Sequence, residues 1–198
     1  MNIKVLYLSL IASLLLAACL ASSPVQRQAV ESTSTPAATA TVSATTTAFV
    51  LTSPDLDASG RLPTEYTCDG ASSTLALNWS GAPTGTQGYA VTMHHVAGPE
   101  DIHWYWEVYD IPASVTSLPK NMTGIGQLGN NSVNGQLAYT PPCSKGPGDK
   151  TYTYTVYALS AQPQLSVPAA EVDRDTLLAA IKDITLASAE LPVVYARK

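Results

Sequence analysis

Three histidines, His94, His95 and His103, fall within ten positions, and the chain has no others. Imidazole donates hydrogen bonds, titrates near neutrality and is a common ligand for zinc and copper. His94 and His95 are adjacent, so on a strand they point to opposite faces. At most one of them therefore pairs easily with His103, and the candidate metal pair is His95 with His103. The plainer reading makes them surface or pocket-rim groups that donate hydrogen bonds. No Cys/His spacing of a structural zinc site accompanies them, so no metal or other cofactor is expected. Three cysteines are the other reactive side chains: Cys19, Cys68 and Cys143. No feature marks any of them as a low-pKa thiolate. The chain carries no Gly-x-Ser-x-Gly elbow, phosphate-binding Gly-Lys-Ser/Thr loop, dinucleotide fingerprint or metalloprotease helix. Its carboxylates, Asp69, Glu107 and Asp110 among them, form no pair that would flank a substrate. A binding protein, not an enzyme, is the expectation.

Cys19 belongs to a targeting segment. Lys4 supplies a positive start, and Val5 to Ala18 is an apolar run of about fourteen residues. A membrane-spanning helix needs roughly twenty. The run ends in Leu16-Ala17-Ala18-Cys19, small residues before a cysteine, as in a lipoprotein signal. The alternative is an ordinary buried cysteine after a cleaved signal. The expectation is a signal peptide over residues 1–18, with lipidation at Cys19. Two or three acyl chains would hold the chain stably on a membrane, in a bacterial cell envelope, facing the periplasm or the exterior. Export also bears on Cys68 and Cys143, since an even pair in an oxidising compartment suggests a disulfide. Two separate thiols remain the other reading.

The elements that must position these groups are short. Residues 19–48 are rich in Ser, Thr, Ala and Pro and read as a disordered tether. Residues 49–198 are long enough to bury a full core. Turn signals recur at Ser59-Gly60, Asp69-Gly70, Ser80-Gly81, Asn134-Gly135 and Gly146-Pro147-Gly148. Between them lie segments of β-branched and aromatic residues. Tyr152, Tyr154 and Val156 alternate with Thr151, Thr153 and Thr155, which predicts a strand with one buried face. Tyr89–Met93, Val108–Pro112 and Leu191–Tyr195 read as further strands, with Pro192 tolerable only near a strand start or at an edge. Asp173 is a plausible N-cap for a helix with an apolar stripe of Leu177, Leu178 and Ile181. A second short helix is expected over residues 186–191. Net charge is -5 and no basic block is present, so nucleic-acid binding has no electrostatic support.

In order and spacing, several runs resemble the phosphatidylethanolamine-binding protein family, and most of all its bacterial Raf-kinase-inhibitor-like branch. They are Tyr66-Thr67-Cys68-Asp69-Gly70, Leu77-Asn78-Trp79-Ser80-Gly81-Ala82-Pro83, Trp104-Tyr105-Trp106-Glu107-Val108-Tyr109-Asp110-Ile111-Pro112, Tyr139-Thr140-Pro141-Pro142-Cys143 and Tyr152–Leu159. The resemblance covers the chain from Phe49 to the C-terminus. It implies a mostly β sandwich, a large central sheet on a smaller one, with one or two short helices near the C-terminus.

The resemblance also implies an anion pocket, and this chain departs from the family pattern in that pocket. The family's Asp-Pro-Asp-Ala-Pro loop falls on His95-Val96-Ala97-Gly98-Pro99, so both acids are gone. The pocket histidine falls on Tyr105, and the histidine of a His-Arg-Tyr run on Lys150, with its tyrosine kept as Tyr152. The Tyr-Gly-Gly-Pro-Cys loop becomes Tyr139-Thr140-Pro141-Pro142-Cys143, whose two prolines lack an N–H for an anion. The implied ligand-binding set is His95, Tyr105, Thr140, Lys150 and Tyr152. Lys150 brings charge and three donors, and the hydroxyls and imidazole add more. The expected ligand is a small anionic or phosphorylated molecule, a phospholipid headgroup among the candidates. Trp104, Tyr105 and Trp106 offer a further option, an aromatic cradle for an ammonium group; the opposing reading makes Trp106 a core residue. Two other functions stay open: an envelope interaction or inhibitor-like protein with a decayed pocket, and a metal-binding protein using His95 and His103.

Overall fold

The computed structural model describes residues 47–197. The signal peptide expected over residues 1–18, Cys19 and most of the tether expected over residues 19–48 lie outside the described residues. Eight strands and one helix follow in order: β1 Val50–Thr52, β2 Leu77–Ser80, β3 Gly88–Gly98, β4 Asp101–Pro112, β5 Ser117–Leu118, β6 Gln127–Leu128, β7 Lys150–Leu159, α1 Arg174–Ile181 and β8 Thr185–Tyr195. They form two antiparallel sheets, β1-β2-β5 and β6-β4-β3-β7-β8. The large sheet has a layer on each face. On one side Val91, Met93, Trp106, Tyr154 and Val156 pack with Leu51, Leu77, Trp79 and Leu118 of the small sheet. On the other, Ala90, Tyr109 and Leu159 pack with Val172, Leu177 and Ile181 around α1.

β7 shows how the second layer modifies the simple alternation. Tyr152, Tyr154 and Val156 are buried, as a period of two predicts, but Thr155 on the other face is only 2% exposed. A strand in the middle of a three-layer stack buries both faces. The helix starts where expected, with the Asp173 carboxylate accepting from the Thr176 N–H at 2.8 Å. The second helix expected over residues 186–191 is instead the first half of β8. Its Ala, Leu and Glu favour a helix intrinsically. Ladder pairing wins, because Tyr154 to Ala158 of β7 need partners and find Leu191 to Ala187. β8 is an edge strand, where Pro192 removes no needed donor. A strap from Gly60 to Leu62 covers its last residues: Leu62 N–H donates to Val194 O and Val194 N–H to Gly60 O. Along Thr185–Leu191 the strand pairs only with β7 among the described residues.

A bulge in β4 decides which side chains reach the core. Met93 lies opposite Trp106 and His94 opposite Trp104, so Tyr105 is an extra residue without a partner on β3. Alternation would send Tyr105 and Trp106 to opposite faces. The inserted residue cancels one step, and both turn to the small-sheet side, where Trp106 is 2% exposed. A second shift follows, with Tyr109 and Asp110 opposite Ala90, and Asp110 takes φ 56°.

The cysteine pair is a disulfide: Cys68 and Cys143 are bonded across 75 residues. Closing a loop of that size removes about 4 kcal/mol of denatured-state entropy in the chain-entropy account.

Glu107 is the outlier of the core. It is 0% exposed, on the helix side of the sheet, and among the described residues neither carboxyl oxygen has a hydrogen-bond partner. Its ladder neighbours are Thr92 and, across it, Thr155, whose hydroxyls are also unpaired. Charged or titratable groups facing it are Arg174 and Asp173 at the start of α1, with His94 nearby on β3. Burial pushes its pKa from an ordinary 4.5 up to about 9, the Arg174 charge only partly opposing this. The folded chain thus keeps a proton that the unfolded chain releases. Stability must fall as pH rises between those two values, by at most ~1.4 kcal/mol per pH unit. Glu107→Gln should therefore gain on the native chain by up to that slope from about pH 5 to about pH 8 in urea melts. The half-buried His94 titrates in both chains and cancels in the difference. Parallel stability curves would show that Glu107 is not held neutral.

Candidate functional site

The C-terminal end of β3 and the N-terminal ends of β4 and β7 meet at one edge of the sandwich, because the three strands are antiparallel neighbours. There His95 lies directly opposite His103. A cavity of about 480 Å³ opens at this end, walled by His95, His103, Tyr105, Lys150 and Tyr152. The Cys143-Ser144-Lys145 arm and Ser132-Val133 close the remaining sides. A second hollow, about 440 Å³, shares His95 and Lys150 with the first and continues past Asp149, Thr151 and Thr153.

The floor is aromatic. The Tyr152 ring lies 5.1 Å from that of His95, and Tyr105 meets Tyr152 edge-on at 5.2 Å. Burial raises the pKa of both phenols. Both therefore stay neutral hydroxyls that can donate to an anion. His95 Nδ1 lies 2.7 Å from the Thr151 carbonyl. A carbonyl only accepts, so Nδ1 carries the proton and Nε2 is the free nitrogen. His103 Nε2 is 2.8 Å from Asp101 Oδ1.

Charge gives the cavity its sign. Lys145 and Lys150 line it, and neither is in an ion pair among the described residues. The two acids at the rim are engaged elsewhere: Asp149 holds Arg61 through contacts of 2.8 and 3.2 Å, and Asp101 holds His103. Ser144 stands beside this wall with its hydroxyl buried and without a partner among the described residues. Unpaired ammonium groups beside neutral phenols make an anion site.

Four of the five residues assigned from sequence therefore converge: His95, Tyr105, Lys150 and Tyr152. Thr140 does not reach the wall. It is 9% exposed, and its N–H donates to Tyr105 O at 2.9 Å, which fastens the chain beside the bulge. The aromatic cradle for an ammonium group is not formed. Trp104 pairs with His94 and directs its indole N–H to Asn130 O at 2.9 Å. Trp106 is core, edge-on to Tyr139 at 5.8 Å. The segment matched to the family's acidic loop, His95-Val96-Ala97-Gly98, is here the end of β3, turning tightly into β4. For a metal the donor set is thin: among the described residues no three His, Cys, Asp or Glu side chains are grouped to hold an ion. His95 and His103 each have one nitrogen committed already.

Sequence reasoning missed Lys145, Ser144 and Ser132. Lys145 had a signal. It stands two residues after Cys143 and opens a Gly146-Pro147-Gly148 turn, so a bridged Cys143 brings a cation to the site.

Comparison with known proteins gives a family match. The model of the family described as phosphatidylethanolamine-binding protein matches residues 52–196. A UPF0098 protein of Methanothermobacter thermautotrophicus is 31% identical over 143 residues, covering 70% of this chain and 92% of that one. The UPF0098 protein YbcL of Escherichia coli is 33% identical over 138 residues, covering 62% and 74%. Among solved structures, the phosphatidylethanolamine-binding protein homologue CT736 of Chlamydia trachomatis superposes with a TM-score of 0.69 at 25% identity, covering 76% of this chain and 99% of that one. The YbcL crystal structure gives 0.67 at 27% identity, with 76% and 99% covered.

The floor can be tested apart from any ligand. Tyr152→Phe keeps the ring between His95 and Tyr105 and should change stability by about 1 kcal/mol or less. Tyr152→Ala removes the ring and should cost about 3–5 kcal/mol in denaturant melts. Equal losses would place the hydroxyl, not the ring, at the centre of the floor.

Proposed function

The chain belongs to the phosphatidylethanolamine-binding protein family, and from that premise we propose that it is a membrane-tethered binding protein, without catalytic activity, that holds a small phosphate-bearing anion in the cavity between β3, β4 and β7. The observation that carries this reading is the pair of unpaired lysines, Lys145 and Lys150, over a floor of neutral hydroxyls. A phosphate offers three or more acceptor oxygens, and ammonium and phenol donors line the cavity from β4, β7 and the Cys143 arm. The family's name points to the same chemistry, a phospholipid headgroup. A free phosphate ester would be recognised by the same donors.

A binding role is also favoured by what the hydroxyls lack. A nucleophile needs a base within hydrogen-bond reach. Ser144 Oγ has no partner, and His95 gives its Nδ1 proton to a backbone carbonyl rather than to a carboxylate that would orient it. Membrane tethering rests on Leu16-Ala17-Ala18-Cys19. Acylation at Cys19 would keep the domain in the cell envelope, within reach of lipid headgroups.

Two experiments test the reading. Calorimetric titration of the chain with phosphoethanolamine and, separately, inorganic phosphate should give saturable heat, and Lys150→Ala should weaken binding about tenfold, one charge-assisted contact. Heat with phosphate alone would point to free phosphate compounds, and heat with phosphoethanolamine alone to headgroups. Silence with both, or unchanged affinity in Lys150→Ala, would remove the anion reading. For the anchor, Cys19→Ser should move the chain from the membrane to the soluble fraction of the envelope and abolish palmitate labelling. A membrane-bound, labelled variant would refute lipidation at Cys19.

A further inference from the structure

The disulfide opens directly onto the cavity. Cys143 is one of its lining residues, and Ser144 and Lys145 follow immediately. Besides the burial of Ser144 and a contact from Arg197 Nη1 to Cys143 Sγ at 3.7 Å, this arm has little else to hold it. Pro141, Pro142 and Pro147 have no N–H to donate. No backbone N–H from Cys143 to Asp149 makes a backbone hydrogen bond among the described residues. The last backbone tie before Cys143 is Cys68 N–H to Pro142 O at 3.1 Å, and the next regular pairing begins at Lys150 in β7. Between them Gly146 and Gly148 take φ of +87° and +103°, a backbone with wide freedom. The Arg61–Asp149 pair at the end of the arm is exposed on both sides, and exposed pairs contribute little.

The other end of the disulfide is firmly set. Thr67, beside Cys68, is fully buried. Asp69 accepts from the Tyr195 hydroxyl and pairs with Arg197 at 2.8 Å, which ties this turn to the end of β8. Tyr139 donates its hydroxyl to Tyr66 O at 3.0 Å. A flexible, lysine-bearing arm is thus bonded to a rigid corner through one covalent link.

We infer that the Cys68–Cys143 disulfide is a positioning element of the anion site: it holds Ser144 and Lys145 over the cavity, and its reduction weakens ligand binding while β3, β4 and β7 keep Lys150, His95 and Tyr152 in place. The inference rests on the anion reading above. Cys143 is exposed, so a small dithiol can reach it. The reductant's thiolate attacks one sulfur, the S–S bond breaks, and its second thiol resolves the mixed disulfide. The dithiol leaves as a disulfide, and two electrons and two protons pass to Cys68 and Cys143. Lys145 is then a cation on a free loop, and its contribution to anion binding includes the entropy of re-ordering that loop.

The test is a thermodynamic cycle on the full chain in detergent, titrated with phosphoethanolamine. Native chain and Lys145→Ala are each measured oxidised and after reduction with dithiothreitol, and circular dichroism reports whether the reduced chains are folded. Expected is about a tenfold loss on reducing the native chain, a similar loss in oxidised Lys145→Ala, and little further loss when Lys145→Ala is reduced. A Cys68→Ala/Cys143→Ala double variant should match the reduced native chain. Several results would overturn the inference. Equal affinity of oxidised and reduced native chain means the arm holds itself, and the anion reading stands. Equal losses in native and Lys145→Ala chains mean the disulfide acts on the whole fold. Loss of the folded signal on reduction at every temperature means the same. No heat from the oxidised native chain would remove the anion reading and this inference with it.

Discussion

One inserted residue in β4 governs both the core and the site. If the strand kept its alternation past Trp104, either Trp106 would leave the core or Tyr105 would leave the cavity. The bulge at Tyr105 lets both turn to the same side. Trp106 then fills the space between the two sheets beside Tyr139, while Tyr105 closes one wall of the cavity against Tyr152. Its carbonyl takes the Thr140 N–H, which brings in the strand-less segment leading to Cys143. Bulges sharpen local twist and re-aim side chains. Here the irregularity aligns an aromatic floor, a disulfide and two lysines at one end of a sheet.

The two faces of that sheet carry opposite electrostatic arrangements. On the small-sheet side the interior is mostly aromatic and aliphatic, and the free lysine charges sit at the open end. On the helix side a carboxyl, two threonine hydroxyls and a histidine nitrogen sit in the middle of the ladder without partners. Burying such groups is unfavourable by itself. Glu107 limits the penalty by keeping its proton. Gly129 shows how tightly the site is closed: a Cβ there would come within 2.8 Å of both Glu107 Cβ and Val172 O. The bare backbone at Gly129 thus forms one wall against the acid.

The parts of this architecture that the sequence displays are those with a local cause. Tyr152, Tyr154 and Val156 announce β7 by their spacing, and Asp173 announces α1 by its capping chemistry. Cys68 and Cys143 announce their bond by parity, read together with the expectation of export. Family resemblance supplied Tyr105 and Lys150, which no local pattern would single out. The parts it hid depend on distant partners. Glu107 sits between aromatic and aliphatic residues on a strand and could as well face solvent. Only the layer built by Val172 and Leu177, far along the chain, makes it buried. Residues 186–191 favour a helix until the open edge of β7 claims them. The bulge at Tyr105 is a matter of register between strands, invisible in either strand alone. Lys145 reaches the cavity because a covalent bond joins residues 75 apart.

The strap from Gly60 to Leu62 has a consequence for how copies of the chain meet. A long edge strand is a template on which another chain can add itself. β8 runs for eleven residues at the border of the large sheet, yet the strap has already taken the positions around Val194, and Pro192 can offer no N–H beyond it. Among the described residues, what is left open on this edge is Thr185 to Leu191, seven residues bearing the charge of Glu190. A strand added at β8 would have to seat itself on that stretch alone, in a register fixed at one end by the strap.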